Sequence, residues 1–295
     1  MTDSIVALGL TSRHLVIPIS EHQDTIGPMT RTVKDAAYIL QAIAGADKED
    51  NYTSTIPAGA LPDYVAACNL SGLAGVRLGV PRNVISLAWD NTTGPLLHEF
   101  EQSIAILKAA GAIIVENTDF PQASEFWNSS VELDVLNADI IVNLNSYLKL
   151  LTYNPRNITT LAEVRKFTQT FPGEEYPGRN TVIWDEALQN YNNTDPRFWS
   201  VYQQNVKYGT EGGLLGTLKL HNLDGIILPA PFASSWAATV GAPIVTVPMG
   251  SQPAGTPIVK NSWGLVQVAP NIPYVNLLNR LPNLADSCFL HLDLG

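Results

Sequence analysis

Two short apolar runs constrain what this chain can fold into more than any other feature: Gly225-Ile226-Ile227-Leu228-Pro229 and Pro243-Ile244-Val245-Thr246-Val247-Pro248. Each is bounded by Gly or Pro, is too short for a helix, and places apolar side chains consecutively, as in strands covered on both faces. An earlier stretch points the same way. Val76 to Pro81 reads as a short buried strand, and Thr93-Gly94-Pro95 opens a helix through Leu96, Leu97, Phe100, Ile104 and Leu107. Gly111 ends that helix, and Ala112-Ile113-Ile114-Val115 makes the next strand. Strand, helix, strand over residues 76 to 120 is the rhythm of an α/β unit. The expected fold class is therefore α/β, a mixed β-sheet covered by helices.

The helices come from the 3.6-residue period. Val33, Ala36, Ala37, Leu40, Ile43 and Ala44 share one side of a helix over about residues 30 to 44, with Thr30 or Thr32 as cap and Gly45 as stop. Residues 124 to 220 differ in character. A long helix passes through Leu133, Leu136, Ile140, Ile141, Leu144 and Leu148, with further helical segments around 184 to 191 and 197 to 218. This region is expected to cover the sheet. Gly209, Gly212, Gly213 and Gly216 lack the strand context of a phosphate loop and read as helix breaks or caps. No repeat or composition break divides the chain, so residues 1–295 read as one domain.

At 295 residues and 45% apolar composition, the chain is long enough for a large core. Its formal charge of -10, from 27 acidic against 17 basic residues without a Lys or Arg run, argues against nucleic acid and anionic membrane as partners. Cys68 and Cys288 have no neighbouring His or Cys, so neither metal-ligand spacing nor a disulfide framework is visible, and no metal or cofactor is expected. Met1-Thr2-Asp3-Ser4 lacks a signal-peptide pattern and as written reads as cytoplasmic. Against that, Asn-X-Ser/Thr triplets begin at Asn51, Asn69, Asn91, Asn128, Asn157 and Asn192. Glycosylation of a secreted parent and asparagine-rich loops both account for them, and localisation stays open.

Five histidines are scattered, and only His22, beside Asp24, invites an acid or base role; a packed loop residue is the plainer alternative. Asp24 and Arg31 flank the Gly27-Pro28 turn just before a helix, where an ion pair or cap explains both, and Met29 reads as a core contact. Asp24, Met29 and Arg31 are thus expected to support structure or a pocket. Ser234, Ser235 and Trp236 follow a strand end, where α/β folds build pockets, and form a candidate pocket loop.

The run Gly9-Leu10-Thr11-Ser12-Arg13-His14-Leu15-Val16-Ile17-Pro18-Ile19-Ser20, joined to Gln23-Asp24-Thr25-Ile26-Gly27-Pro28-Met29-Thr30-Arg31 and on to Ala37, resembles the amidase signature family, in its fungal acetamidase-like branch. Asp50-Asn51-Tyr52-Thr53, Pro62-Asp63-Tyr64, the stretch from Gly75 to Pro81 and that from Gly241 to Gly250 continue the resemblance, which covers residues 9 to 274. It implies hydrolysis of a small carboxamide by a serine nucleophile, a second serine held by a cis peptide, and a lysine that relays protons. No residue matches the lysine or the bridging serine, and Lys34 lies on the helix after the linker. Thr2-Asp3-Ser4-Ile5-Val6 faintly resembles the nucleophile loop without its glycine, which would make Ser4 a remnant of the nucleophile. The segment from Arg280 to His291 also departs from the family pattern. The resemblance therefore implies a truncated, inactive C-terminal portion of an amide hydrolase with an incomplete amidase signature fold and no assignable catalytic residue. The alternatives are a noncatalytic module that binds a small amide or docks on a homologous amidase, and a residual amidase.

Overall fold

The computed structural model describes residues 2–5, 7–59, 61–68, 72–87, 94–248 and 264–268. In chain order the elements are β1 (Thr2–Ile5), β2 (Met29–Thr30), α1 (Val33–Ile43), β3 (Arg77–Val80), α2 (Arg82–Leu87), α3 (Gly94–Ala109), β4 (Ile113–Glu116) and α4 (Ala123–Trp127). They continue with α5 (Val131–Leu150), α6 (Leu161–Thr170), α7 (Val182–Gln189), α8 (Pro196–Gly209), α9 (Leu214–His221), β5 (Gly225–Pro229), α10 (Ser234–Ala238), β6 (Ile244–Pro248) and β7 (Gly264–Val268). Contacts divide the chain into two compact units. The first comprises Met1–Ser12, Thr25–Trp127 and Tyr208–Gly295, and the second Arg13–Asp24 and Asn128–Lys207. Of the four boundaries, the one at 127/128 falls close to residue 124, where the sequence turns helical.

The first unit carries a seven-stranded sheet in the order β2-β1-β6-β7-β5-β3-β4. β3 is parallel to both β4 and β5, and the other neighbours pair antiparallel, so the sheet is mixed as expected. All five residues of β5 are buried, which is why its apolar residues run without alternation. The similar run in β6 lies between two antiparallel neighbours, β1 and β7, and there Ile244 and Val247 are buried while Val245 and Thr246 are only partly so. Gly79 in β3 is required by close packing: a Cβ there would lie 2.7 Å from Thr118 Oγ1 and 2.8 Å from Ile226 Cδ1. On α3, Phe100, Ile104 and Leu107 form one buried stripe at helical spacing. On α1, Ala36, Ala37 and Leu40 are buried, the last two in a cluster with Leu10 and Tyr64.

The helical segment expected at 30 to 44 begins at Val33 because Thr32 caps it, its side chain accepting the Asp35 amide at 3.1 Å. Met29, read as a core contact, is instead 70% exposed; it belongs to the two-residue edge strand β2, paired on one side to β1. The glycine-rich stretch at 209 to 216 breaks one expected helix into α8 and α9, with Gly213 at the N-cap of α9.

The second unit is helical and holds its own apolar clusters. Ile140, Leu144, Leu161 and Ala187 join α5, α6 and α7, and Val135, Ala138 and Phe198 join α5 to α8. Within this unit Ile140 and Leu144 of the long helix are buried, while Leu133 is 42% exposed. α6 opens with a capping box that sequence reading passed over: Thr160 accepts from the Glu163 amide at 3.2 Å, and Glu163 accepts from the Thr160 amide at 3.0 Å. The Thr159 amide, donating to the same carboxylate at 2.7 Å, and the Thr160 and Thr159 hydroxyls hold the Glu163 carboxyl below its usual value.

Candidate functional site

The densest polar cluster among the described residues lies in the second unit, where the segment Arg13–Asp24 meets α5. Asp139, on the buried side of α5 beside Val135, Ala138 and Ile140, is 0% exposed. A carboxylate placed there needs donors, since burying it unpaired is very costly. Three side chains supply them. Ser20 Oγ donates to Oδ2 at 2.5 Å, His22 Nδ1 lies 2.8 Å from the same oxygen, and Asn193 Nδ2 donates to Oδ1 at 2.8 Å. Because a carboxylate only accepts, the His22 contact assigns the proton to Nδ1. The imidazole lies among aromatic rings, with centroids 4.4 Å from Tyr202, 5.4 Å from Phe198 and 6.3 Å from Trp199. Burial and the nearby charges of Asp139 and Glu21 raise the Tyr202 phenol.

The segment closes on itself as well. Asp24 Oδ2 accepts the amides of Ile19 and Ser20 at 2.8 and 2.9 Å, and Arg13 Nη1 donates to the carbonyls of Glu21 and Asp24 at 2.7 and 3.3 Å. Burial pushes the Asp24 carboxyl above its ordinary value, against the pull of both amides and Arg13. Asp24 is thus a loop organiser, and the helix cap expected of it belongs to Thr32. His22, weighed against its neighbour Asp24, instead pairs with Asp139, 117 positions away.

This cluster positions the linker Arg13–Asp24 and has no arrangement for nucleophilic attack. Ser20 and His22 both donate to one oxygen of Asp139, so the imidazole does not stand between serine and carboxylate as a relay requires. Ser20 is also 0% exposed. Glu21, His22 and Asp139 offer ligand atoms within 4.8 Å of one another, the described group closest to a cation site. Yet both Asp139 oxygens already accept hydrogen bonds from Ser20, His22 and Asn193, so the set is satisfied as a hydrogen-bond network.

In the first unit, Arg31 is exposed on the turn before α1. Ser234 is exposed and Ser235 half-buried at the start of α10, a helix too short to make an anion site, whereas Trp236 is 4% exposed. Trp236 packs against Phe126 at 4.5 Å and Phe120 at 4.8 Å between ring centroids, and so anchors α10 in the core. Asp50 likewise builds a turn: its Oδ1 accepts the amides of Tyr52 and Thr53 at 2.8 and 3.0 Å. Lys34 is exposed on α1. Cys68 is a half-buried thiol whose Sγ donates to the Tyr64 carbonyl at 3.6 Å, and Cys288 lies outside the described residues.

The model of the Amidase family matches residues 7–234. The chain belongs to the amidase family. Among relatives of this amidase-family chain, the Arthroderma benhamiae protein called "Putative amidase" is 53% identical over 267 residues, covering 90% of this chain and 45% of the relative. The native peptide amidase of Stenotrophomonas maltophilia shares the fold with a TM-score of 0.79 at 28% identity, over 97% of this chain and 57% of that one. An amidase family protein from Bacillus anthracis also shares the fold, with a TM-score of 0.79 at 24% identity, over 97% of this chain and 53% of that one. The amidase-family chain spans about half the length of the curated relatives it matches.

The anchoring residue Asp139 was not singled out from the sequence, and its partners Ser20, His22 and Asn193 are remote from it along the chain. One local signal existed: an acidic residue within the otherwise buried run Val135, Ala138, Ile140 must find donors.

Proposed function

We propose that this chain is a portion of an amide hydrolase acting on a small carboxamide, in which it supplies the sheet and the anchored linker, and that these 295 residues alone release no ammonia from amides. The observation that carries the amide-hydrolase reading is the match of the Amidase family model over residues 7–234, and the small carboxamide is what the family resemblance implies. The inactivity rests on proton bookkeeping. A serine hydroxyl attacks a carboxamide carbon only when a base takes its proton, and the ammonia that leaves must be protonated in turn. The family resemblance gives that work to a lysine and a bridging serine that no residue here matches. Lys34 is an exposed residue on α1, and the buried Ser20 hydroxyl donates its hydrogen bond to Asp139. Ammonia release from a panel of aliphatic and aromatic carboxamides tests the proposal. The expected rate equals the buffer control, and turnover that disappears in Ser4→Ala would overturn the claim of inactivity.

A further inference from the structure

We infer that Asn51, Asn128, Asn157 and Asn192 are acceptor sites for N-linked glycans. Six triplets with the acceptor pattern occur in the chain, and those at Asn69 and Asn91 lie outside the described residues. The other four share a placement outside helices and strands. Each acceptor sits in a turn or loop, none is buried, and Asn51, Asn128 and Asn157 are exposed. Asparagines in helices begin no triplet: Asn137 and Asn143 on α5 and Asn205 on α8 are followed by sequences without the required hydroxyl residue. Asn137 and Asn205 are 5% and 0% exposed, and Asn193, which is spent on Asp139, also begins none. The triplets thus fall where a large hydrophilic substituent fits without displacing core, and are missing where it would not.

Local geometry supports the assignment. Asn157 has a left-handed backbone, φ 50°, in the loop between α5 and α6. Asn192 Oδ1 accepts the Thr194 amide at 2.9 Å and the Thr194 hydroxyl at 2.6 Å. Both bonds of the triplet fall on the amide oxygen, leaving the amide nitrogen as the group for substitution. Asn51 stands exposed on the turn that Asp50 organises. The co-reactant is an oligosaccharide on a polyprenyl diphosphate, delivered by a membrane transferase. The asparagine nitrogen bonds to the anomeric carbon, the carbon–oxygen bond to the diphosphate breaks, its electron pair leaves with the lipid diphosphate, and one amide proton passes to a base of the transferase.

The test uses the protein from its natural source. Enzymatic cleavage of glycan from asparagine in heavy-oxygen water converts each occupied Asn to a labelled Asp, which peptide mass mapping locates. Label at all four positions is expected. Unmodified Asn as the sole form at any one position overturns that assignment, and an unlabelled chain overturns the inference altogether. A second measurement separates the triplet from the local fold. With the full chain directed into the secretory lumen of a yeast and read from total extract, Thr159→Ala should abolish label at Asn157 and Thr159→Ser should retain it; equal labelling in both would refute the role of the triplet.

Discussion

Replacing Asp139 by alanine should release the linker from the helical unit. The carboxylate accepts Ser20 Oγ, His22 Nδ1 and Asn193 Nδ2, and it is 0% exposed. A hydrogen bond to a charged acceptor contributes about 1.5–3 kcal/mol, but three bonds sharing one carboxylate do not add independently. The better guide is the loss of about 3–5 kcal/mol when one member of a buried charged cluster is removed and its partners are left behind. That is a large part of a total stability of about 5–15 kcal/mol. The assay is hydrogen exchange at the amides of His22 and Asp24, bonded at 3.2 Å to the Ser20 hydroxyl and at 2.9 Å to its carbonyl. At about 1.4 kcal/mol per factor of ten, their exchange should rise by at least about a hundredfold in Asp139→Ala. Asp139→Asn should recover little, because an amide nitrogen would face donors where an oxygen now accepts. Exchange in Asp139→Ala within about threefold of the parent would refute the anchoring role.

Other substitutions test separate parts of the account. Asp24→Asn keeps an oxygen acceptor for the Ile19 and Ser20 amides and should cost little at neutral pH, whereas Asp24→Ala should lose about 1–3 kcal/mol, both read from urea midpoints. Because burial raises the Asp24 carboxyl, its contribution is most favourable below the ordinary carboxylate range and is lost as pH rises through the folded value; Asp24→Asn should flatten that slope, and an unchanged slope would contradict the burial argument. Gly79→Ala forces a Cβ against Thr118 and Ile226 and should cost about 1–3 kcal/mol by the same titration, with a neutral result refuting the tight packing of β3. Thr160→Ala removes the capping box of α6 and should cost about 1 kcal/mol, with increased amide exchange confined to the first turn of that helix.

What the sequence made legible was local. The strand, helix, strand pattern at 76 to 120 and the helix after Pro28 follow from periodicity and capping within a few residues of each position. The apolar run 225–229 announced β5 because a strand buried on both faces needs no alternation. The insertion of β7 between β5 and β6 was not legible, since strand order is decided by pairings between distant segments. The capping box at Thr160 and Glu163 was present in the sequence and would have found α6. In the candidate site, Asp24 was visible as a turn residue, but the His22–Asp139 pair joins positions 117 apart, and neither neighbourhood names the other. Trp236 beside two serines looked like a pocket wall, yet its large apolar surface is used against Phe120 and Phe126.

The proposed inactivity of these 295 residues is tested most directly by covalent labelling with an aromatic sulfonyl fluoride. An activated serine hydroxyl attacks the sulfur, fluoride leaves, and the intact mass of the chain rises by one sulfonyl group. The proposal predicts that the mass remains that of the unmodified 295-residue chain at reagent concentrations that label an active serine hydrolase to completion. Stoichiometric labelling that maps to Ser4 and is lost in Ser4→Ala would contradict the account and make this chain a hydrolase with a base yet to be found.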